Sequence, residues 1–199
     1  MPRTDFPPKG ESWTFAHSLG SGSPGAAHAV KNRRGEMFCL KVITANLTDE
    51  EAKRQALTEV TLMKETCDHP NVVAFYESWF ERNRLCILME YAPNGSLDKL
   101  IEKYAAQGKQ LPEKKVIHFV EELTSALDYC HNKMQIMHRD IKPANILIDQ
   151  IGTAKHTDFG PTKLLGPTQL AATFAGPPLY SAPAPRSAGQ ASTAPGGTW

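Results

Sequence analysis

Short apolar runs separated by turn residues fill the first half of the chain and predict an antiparallel sheet. Residues 13–43 follow the pattern strand, glycine-rich loop, strand, turn and strand, with the turn at residues 33–35. Residues 72–79 and 85–90 are two further apolar runs of strand length, joined by a polar stretch. Runs of this length between glycine, proline or charged clusters are typical of strands. The pattern therefore predicts five strands.

A helical pattern lies between the third and fourth of these runs. Thr48 is a suitable helix N-cap, and the acidic residues 49–51 suit the positive end of a helix dipole. Leu57, Val60 and Met63 recur every three residues, so we expect them to form a stripe that faces the sheet. The first half of the chain is thus predicted to be a five-stranded antiparallel unit with one helix.

The second half of the chain has a mainly helical pattern. Ser96 follows the chain-breaking segment 93–95 and is expected to cap a short helix. Pro112 suits the first turn of a longer helix that ends near residue 131, and residues 146–148 are expected to form a short strand. Apolar residues of the longer helix recur at threes and fours, which predicts a buried stripe. That stripe consists of Val116, Phe119, Val120, Leu123, Ala126, Leu127 and Cys130.

Composition changes towards both ends of the sequence. Residues 1–12 are rich in proline and charge, and we expect them to be flexible. Residues 185–199 are mostly Pro, Ala, Gly, Ser and Thr, a composition that buries too little apolar surface to offset its chain entropy. We therefore expect a domain over residues 13–184, followed by a disordered low-complexity tail.

The charge balance excludes several classes of partner. Lys and Arg total 22 against 21 Asp and Glu, which gives a formal net charge of +1. Because the chain has no basic surplus to attract phosphates or anionic lipid, we expect neither nucleic acid nor a membrane as a partner. The four cysteines are scattered without a CxxC pair, which favours a reduced, cytoplasmic protein.

A GxGxxG motif runs from Gly20 to Gly25 and fits two geometries. A dinucleotide-binding turn must lead from a strand into a helix, whose N-terminus holds pyrophosphate. A glycine hairpin instead lets backbone amides fold over the phosphates of a nucleotide. Residues 26–31 are followed by a turn and another strand-like run, so the hairpin is favoured.

The stretch from residue 138 to residue 160 sets acids, a cation and an amide at fixed offsets. Asp140 is a candidate general base, and Lys142 places a positive charge two residues further on. Asn145 and Asp158 offer oxygen ligands, which suit Mg²⁺ better than a soft metal. So many matched positions in order rarely arise by chance.

This stretch resembles the catalytic loop and the magnesium loop of eukaryotic protein kinases. Residues 138–140 read His-Arg-Asp and residues 158–160 read Asp-Phe-Gly. The Asp-x-Lys-Pro-x-Asn form of residues 140–145 is similar to that of serine/threonine kinases. Residues 69–73 and the pair at 90–91 most resemble the NIMA-related (NEK) group.

The resemblance implies a fold and cofactors. We expect an α+β, protein-kinase-like bilobal fold with a five-stranded antiparallel N-lobe and one helix over residues 13–91. An incomplete helical C-lobe over residues 92–184 would follow, since the later helices of a complete kinase domain are missing from this sequence. ATP and Mg²⁺ are the implied cofactors, with a protein Ser/Thr hydroxyl as substrate and a regulatory protein as a further partner.

The resemblance also implies a role for each motif residue. Asp140 would accept the proton of the substrate hydroxyl, Lys142 would neutralise the transferring phosphate, and Asn145 with Asp158 would hold the metal. Lys41 would hold the α- and β-phosphates and pair with Glu59, with Glu65 as the alternative partner. The implied ATP contacts are Leu19, Gly20, Ser21, Gly22, Ser23, Pro24, Gly25, Ala27, Cys39, Lys41, Glu59, Glu90, Ala92 and Leu147.

Several positions depart from the kinase pattern. The loop tip is Pro24, which lacks an amide donor, and Ala27 replaces the valine that usually covers adenine. Pro177 replaces the threonine that contacts the catalytic aspartate and lysine, and Ala184 replaces the closing glutamate. These departures keep a second interpretation open, a truncated pseudokinase or regulatory fragment with little or no turnover.

Overall fold

The fold is known from a computed structural model, which describes two main parts of the chain. Residues 13–22, 25–43, 68–81, 84–138, 140–157 and 163–164 are described, together with Arg54, Leu57, Val60, Thr61 and Lys64. The predicted flexible N-terminus and the predicted tail lie outside the described residues, and so do Pro177 and Ala184 of the predicted domain.

Five antiparallel strands form the first part, as the sequence predicts. Their order across the sheet is β1-β2-β3-β5-β4, and every neighbouring pair is antiparallel. The strands are β1 Thr14–Gly22, β2 Gly25–Lys31, β3 Met37–Ile43, β4 Phe75–Glu81 and β5 Arg84–Glu90.

A side-chain-capped turn joins β2 to β3 at the predicted place. The Asn32 carboxamide oxygen accepts hydrogen bonds from the amides of Arg34 and Glu36, both at 2.9 Å. Gly35 has a φ of 81°, a backbone conformation that is readily available to glycine. Asparagine and glycine together therefore fix this turn.

Each face of the sheet carries its own apolar cluster, because successive strand residues point to opposite faces. The inner cluster contains Cys39, Ile43, Val60, Val73, Leu85, Ile87 and Met89. The outer cluster contains Val30, Phe38 and Leu88, with Trp13, Leu40, Tyr76 and Trp79 packed against it. The inner cluster is the one that borders the candidate site described below.

Two details of the predicted first part are wrong. Val72 and Val73 do not belong to β4, because the Val73 amide donates to the His156 carbonyl (2.9 Å) in the second part of the molecule. Leu57 does not share the buried stripe: its backbone is helical, but its side chain is 49% exposed. Val60 is buried as expected, and Met63 lies outside the described residues.

The second part combines helices with short strand pairs. Strands β6 and β9 pair antiparallel, and so do β7 and β8. A 3₁₀ turn, Pro143–Asn145, immediately precedes β7. The remaining elements are α1 Leu97–Ala105, α2 Glu113–Asp128, β6 Ile136–Met137, β7 Ile146–Ile148, β8 Ala154–His156 and β9 Lys163–Leu164. The described helices are too short or too polar for any of them to cross a lipid bilayer.

The ends of these helices differ in part from expectation. Ser96 precedes α1 as predicted, but its hydroxyl donates to the Asp98 carboxylate and does not cap the helix backbone. Pro112 stands at the N-cap of α2, one position before the predicted first turn. After α2 the chain continues as a π-helical turn, Tyr129–Lys133, and Gln135 at a φ of 55° follows it.

Only one side of α2 is buried by the described residues. Phe119 packs in a cluster with Ile146, Ile148 and Ala154, so the helix supports the β7–β8 pair. Val116 and Val120 are 43% and 57% exposed, so the prediction that the whole apolar stripe is core is wrong at these two positions. Ile117 is exposed beside them.

Candidate active site

Three of the predicted catalytic residues converge between β6 and β7. The Asp140 carboxylate accepts hydrogen bonds at the same oxygen from Lys142 Nζ (2.7 Å) and from Asn145 Nδ2 (2.8 Å). Asn145 Nδ2 also donates to the Asp140 carbonyl oxygen at 2.9 Å. The second carboxylate oxygen of Asp140 has no hydrogen bond to any described residue. The arrangement holds a carboxylate in one orientation with a cation beside it.

Asn145 is oriented so that an oxygen remains for a metal. Its side chain is buried, and both of its amide N–H donors are directed to Asp140. The carboxamide oxygen therefore lies at the opposite end of the planar group, and it is a hard oxygen ligand that suits Mg²⁺. The Asn145 carbonyl accepts the Thr157 amide (3.0 Å), which brings the chain preceding Asp158 next to this site. Asp158 itself lies outside the described residues.

His138 joins the two halves of this network. Its side chain is buried, Nδ1 accepts the Asp140 amide at 3.3 Å, and Nε2 lies 3.0 Å from the Thr157 carbonyl. One acceptor and one donor on the same ring correspond to the neutral tautomer with the proton on Nε2. These two hydrogen bonds give His138 a specific structural role.

Two neighbouring histidines are held in the neutral form. Burial and the nearby His138 lower the pKa of His156 to about 4. The rings of His138 and His156 have centroids 5.3 Å apart, and neither nitrogen of His156 has a hydrogen-bond partner among the described residues. Burial and the charge of Lys155 also lower the pKa of His69. The protonated forms of His156 and His69 are therefore disfavoured.

The glycine-rich motif forms the predicted hairpin. Gly20 pairs with Ala27, Ser21 with Ala26 and Gly22 with Gly25 across β1 and β2. A strand that leads into another strand does not provide the helix N-terminus of a dinucleotide-binding turn. Ser23 and Pro24 lie outside the described residues.

The predicted adenine-contacting side chains lie in one apolar cluster. Leu19, Ala27 and Leu147 pack against the inner cluster that includes Cys39 and Met89. Cys39 pairs directly with Met89 across β3 and β5, so both side chains point to the same face of the sheet. The hairpin, the sheet and β7 thus contribute three sides of one apolar region.

Lys41 lies beside this cluster on the same face of β3. It is two residues from Cys39 and pairs with Ala27 on one side and with Ile87 on the other. Its side chain is partly buried. Glu59 and Glu65 lie outside the described residues, so the predicted ion pair of Lys41 stays a prediction.

The end of β5 and the segment after it contain Glu90 and Ala92, two of the predicted ATP contacts. The Glu90 amide donates to the Ala74 carbonyl at 2.9 Å, so this amide is not available to adenine. The Ala92 carbonyl accepts the Gly95 amide at 3.2 Å, which forms a turn. Among the described residues, no hydrogen bond uses the Ala92 amide. The Ala92 amide is therefore available to a ligand, and its contact with adenine stays a prediction.

Two polar residues near the site were not singled out from the sequence. Lys155 forms an ion pair with Glu90, and the buried Asn71 carboxamide donates to the Ala154 carbonyl at 3.0 Å. The alternation in β8 was the available signal, because Lys155 stands between two buried residues, Ala154 and His156. An opposite charge on a distant strand cannot be assigned from such a pattern alone.

Comparison with known proteins shows the family to which the chain belongs. The family model described as "Protein kinase domain" matches residues 13–194, so the chain belongs to the protein kinase family. Several of its curated relatives are named as serine/threonine-protein kinases, so the chain is of that type by descent. Protein kinases as a family use ATP and Mg²⁺ and act on protein substrates.

Relatives from several groups match similar stretches. Serine/threonine-protein kinase Nek2 of Mus musculus is 33% identical over 186 residues, which cover 89% of this chain and 42% of the relative. Serine/threonine-protein kinase Nek11 of Homo sapiens is 35% identical over 176 residues, 86% of this chain and 27% of the relative. Mitogen-activated protein kinase kinase SIPKK of Nicotiana tabacum is 35% identical over 167 residues, 83% of this chain and 45% of the relative. The two Nek relatives agree with the predicted NEK likeness, and the chain spans less than half the length of each of these relatives.

Proposed function

We propose that this chain binds Mg-ATP and transfers the γ-phosphate to a Ser or Thr hydroxyl of a protein. The observation that carries the proposal is the Asp140 carboxylate: Lys142 and Asn145 both donate to one of its oxygens, and no described residue donates to the other. The apolar region around Leu19, Ala27 and Leu147 supports the nucleotide half of the proposal.

Each residue of the network has a role in the proposed reaction. The substrate hydroxyl oxygen bonds to the γ-phosphorus, the bond to the β–γ bridging oxygen breaks, and the proton passes to Asp140. A positioned general base typically contributes about 10²–10⁴-fold to a rate. Lys142, 2.7 Å from Asp140, balances the negative charge of the carboxylate and of the transferring phosphoryl group. Asn145 and Asp158 would hold Mg²⁺, which neutralises phosphate charge when bound.

The partners and the location follow from the same proposal. The lysine at position 142 favours Ser/Thr over Tyr as the acceptor, in keeping with the names of the relatives. A regulatory protein is a further proposed partner, because α2 leaves Val116, Ile117 and Val120 exposed. The buried thiols of Cys86 and Cys130 form no disulfide with any described residue, which supports a reducing, cytoplasmic location.

A transfer assay with two variants tests the proposal. Wild-type chain incubated with ATP, Mg²⁺ and casein is expected to incorporate phosphate, and Asp140→Asn is expected to lower the rate by about 10²–10⁴-fold. Lys41→Met is expected to lower both transfer and nucleotide binding. Mg-ATP at a hundred times its Kd should raise the free energy of unfolding of wild type by about 2.7 kcal/mol. Transfer by wild type no greater than that by Asp140→Asn would refute the catalytic proposal.

A nucleotide-binding protein without turnover is the second candidate function. Pro177, in place of a threonine expected to contact the catalytic residues, favours this candidate. Stabilisation by Mg-ATP together with no phosphate transfer would select it. Failure of Mg-ATP to stabilise the chain would reject both candidates.

A further inference from the structure

An ion pair connects the end of β5 to β8. Lys155 Nζ lies 2.9 Å from Glu90 Oε1 and 3.1 Å from Glu90 Oε2, so the ammonium group contacts both carboxylate oxygens. The side chains of Lys155 and Glu90 are only 12% and 22% exposed. A pair that is largely removed from water is screened less than a surface ion pair, and removal of one partner leaves the other poorly compensated.

Glu90 is also attached to the strand on its other side. Its amide donates to the Ala74 carbonyl at 2.9 Å, and its carboxylate accepts the Ala74 amide at 3.1 Å. The carboxylate is therefore shared between Ala74 and Lys155. Loss of the lysine would leave a partly buried charge with one neutral donor, which favours displacement of Glu90 toward solvent.

Lys155 is directly opposite a predicted adenine contact. Leu147 of β7 pairs with Lys155 of β8, so the two side chains point to the same face of this strand pair. Strand β7 also holds the chain that follows Ala92, because the Ile148 amide donates to the Gly95 carbonyl at 2.8 Å. The β7–β8 pair thus contacts both ends of the segment that follows β5. Lys155 of β8 binds Glu90 at its start, and Ile148 of β7 binds Gly95 at its end.

We propose that Lys155 is a positioning residue for the purine ring of the nucleotide. Through Glu90, it fixes the distance between the Ala92 amide and Leu147, the donor and the apolar surface between which a purine would bind. Lys155 itself does not contact the nucleotide. The inference rests on the proposed nucleotide-binding function and adds to it a residue that determines how well the base, rather than the phosphates, is recognised.

Binding of two ligands separates this role from general destabilisation. Lys155→Met is expected to weaken Mg-ATP binding on the order of tenfold, the loss of one charged hydrogen bond. Binding of inorganic tripolyphosphate with Mg²⁺, which lacks the purine, is expected to stay unchanged. Lys155→Arg keeps the charge and should retain most of the ATP affinity. Lys103→Met, which removes an exposed lysine of α1, is the matched control and should change neither ligand.

A second measurement needs no nucleotide. Hydrogen exchange of the amides in residues 91–95 is expected to be faster in Lys155→Met than in wild type or in Lys103→Met. If Lys155→Met folds poorly, the double variant with Glu90→Gln removes the uncompensated charge while it keeps the acceptor for Ala74. That double variant should fold. Relative to wild type, it should lose more affinity for Mg-ATP than for tripolyphosphate.

The outcomes are distinguishable. Equal losses of ATP and tripolyphosphate binding, or unchanged exchange at residues 91–95, would overturn the positioning role. If wild type binds tripolyphosphate but not ATP, or neither ligand, the proposed function fails. The exchange measurement then still decides whether Lys155 holds this segment.

Discussion

Two glycines of the same hairpin have different surroundings at the scale of single residues. A Cβ atom built on Gly20 would meet nothing within 4 Å, whereas one built on Gly25 would lie 2.1 Å from the Val42 carbonyl oxygen. Gly25 is therefore required by the packing of β2 on β3. Nothing within the described protein requires glycine at position 20, which is consistent with a ligand that approaches its backbone.

Alanine substitutions at these glycines should therefore separate binding from stability. We expect Gly20→Ala to change the unfolding temperature no more than an ordinary surface substitution does. The same substitution should weaken Mg-ATP binding. Gly25→Ala should lower the free energy of unfolding by about 1–3 kcal/mol, because backbone must move to admit the methyl group. Thermal unfolding with and without Mg-ATP measures both effects. Equal destabilisation by the two variants would contradict this assignment.

The sequence predicted the candidate site at this scale better than it predicted the contacts that hold it. Asp140, Lys142 and Asn145 were identified because their chemistry and spacing are local properties of the chain. The hydrogen bonds of His138 with Thr157, and of Asn71 with Ala154, join residues far apart in sequence. Such pairs depend on the tertiary fold, and a single sequence does not specify them.

At the scale of elements, α2 presents two unlike faces. Phe119 and Ala126 are buried against the rest of the second part, whereas Val116, Ile117 and Val120 lie exposed near one another in sequence. Exposed apolar groups that are neighbours on a helix favour association with other apolar surfaces. This face is the part of α2 that a partner would cover.

Polar substitutions on this face should reduce self-association without a loss of stability. The double variant Val116→Lys and Val120→Lys is expected to be more soluble and to unfold at the wild-type temperature, because neither side chain is in the core. Phe119→Ala, on the buried face, is the comparison and should cost about 3–5 kcal/mol. Sedimentation and thermal unfolding measure the two properties. A large loss of stability in the lysine variant would show that this face is packed in solution.

Strand positions were more predictable than helix faces. Short apolar runs between turn residues located all five strands of the sheet, since this signal is local. Val72 was assigned to a strand of that sheet because it is β-branched and apolar, but it forms a parallel bridge with His156 instead. Periodicity also placed Val116 and Val120 in a stripe, but it does not tell which part of a stripe finds a partner.

At the scale of the whole molecule, residues 68–74 join the two parts. His69 Nδ1 accepts the Asn71 amide at 3.1 Å, and its Nε2 lies 3.3 Å from the Ser125 hydroxyl on α2. The Asn71 carbonyl accepts the His156 amide at 2.8 Å. His69 must be neutral at Nδ1 to accept this hydrogen bond, so its protonation state affects how the two parts are held together.

This joint predicts how stability depends on pH. The folded pKa of His69 is lowered from 6.5 by burial and Lys155, so the unfolded chain binds the proton more readily. The free energy of unfolding should therefore fall as the pH drops below about 6.5. His69→Asn keeps an acceptor for the Asn71 amide but does not titrate, so its profile should be flatter. Denaturant unfolding at pH values from about 7.5 to about 5, on either side of the ordinary histidine pKa, measures how the free energy of unfolding changes with pH in each protein.

Lys103→Met, which removes an exposed lysine of α1, supplies the control for this measurement. Its profile should keep the wild-type slope. His156, with a pKa of about 4, contributes in the same direction and accounts for slope that remains in His69→Asn. If the free energy of unfolding of His69→Asn changed with pH as steeply as that of wild type, His69 would not be the cause of the pH dependence.

The neutral His138 ring has a mechanical consequence. One imidazole receives the main-chain N–H of the proposed base and donates to the last described carbonyl before Asp158. A conformer in which Thr157 moves away from His138 must break the hydrogen bond between His138 Nε2 and the Thr157 carbonyl. The His138 ring, which accepts the Asp140 amide, would then be held by one hydrogen bond fewer. Displacement of Asp158, the proposed metal ligand, and loss of order at Asp140, the proposed base, would thus occur together, so that an inactive arrangement at either position would affect both.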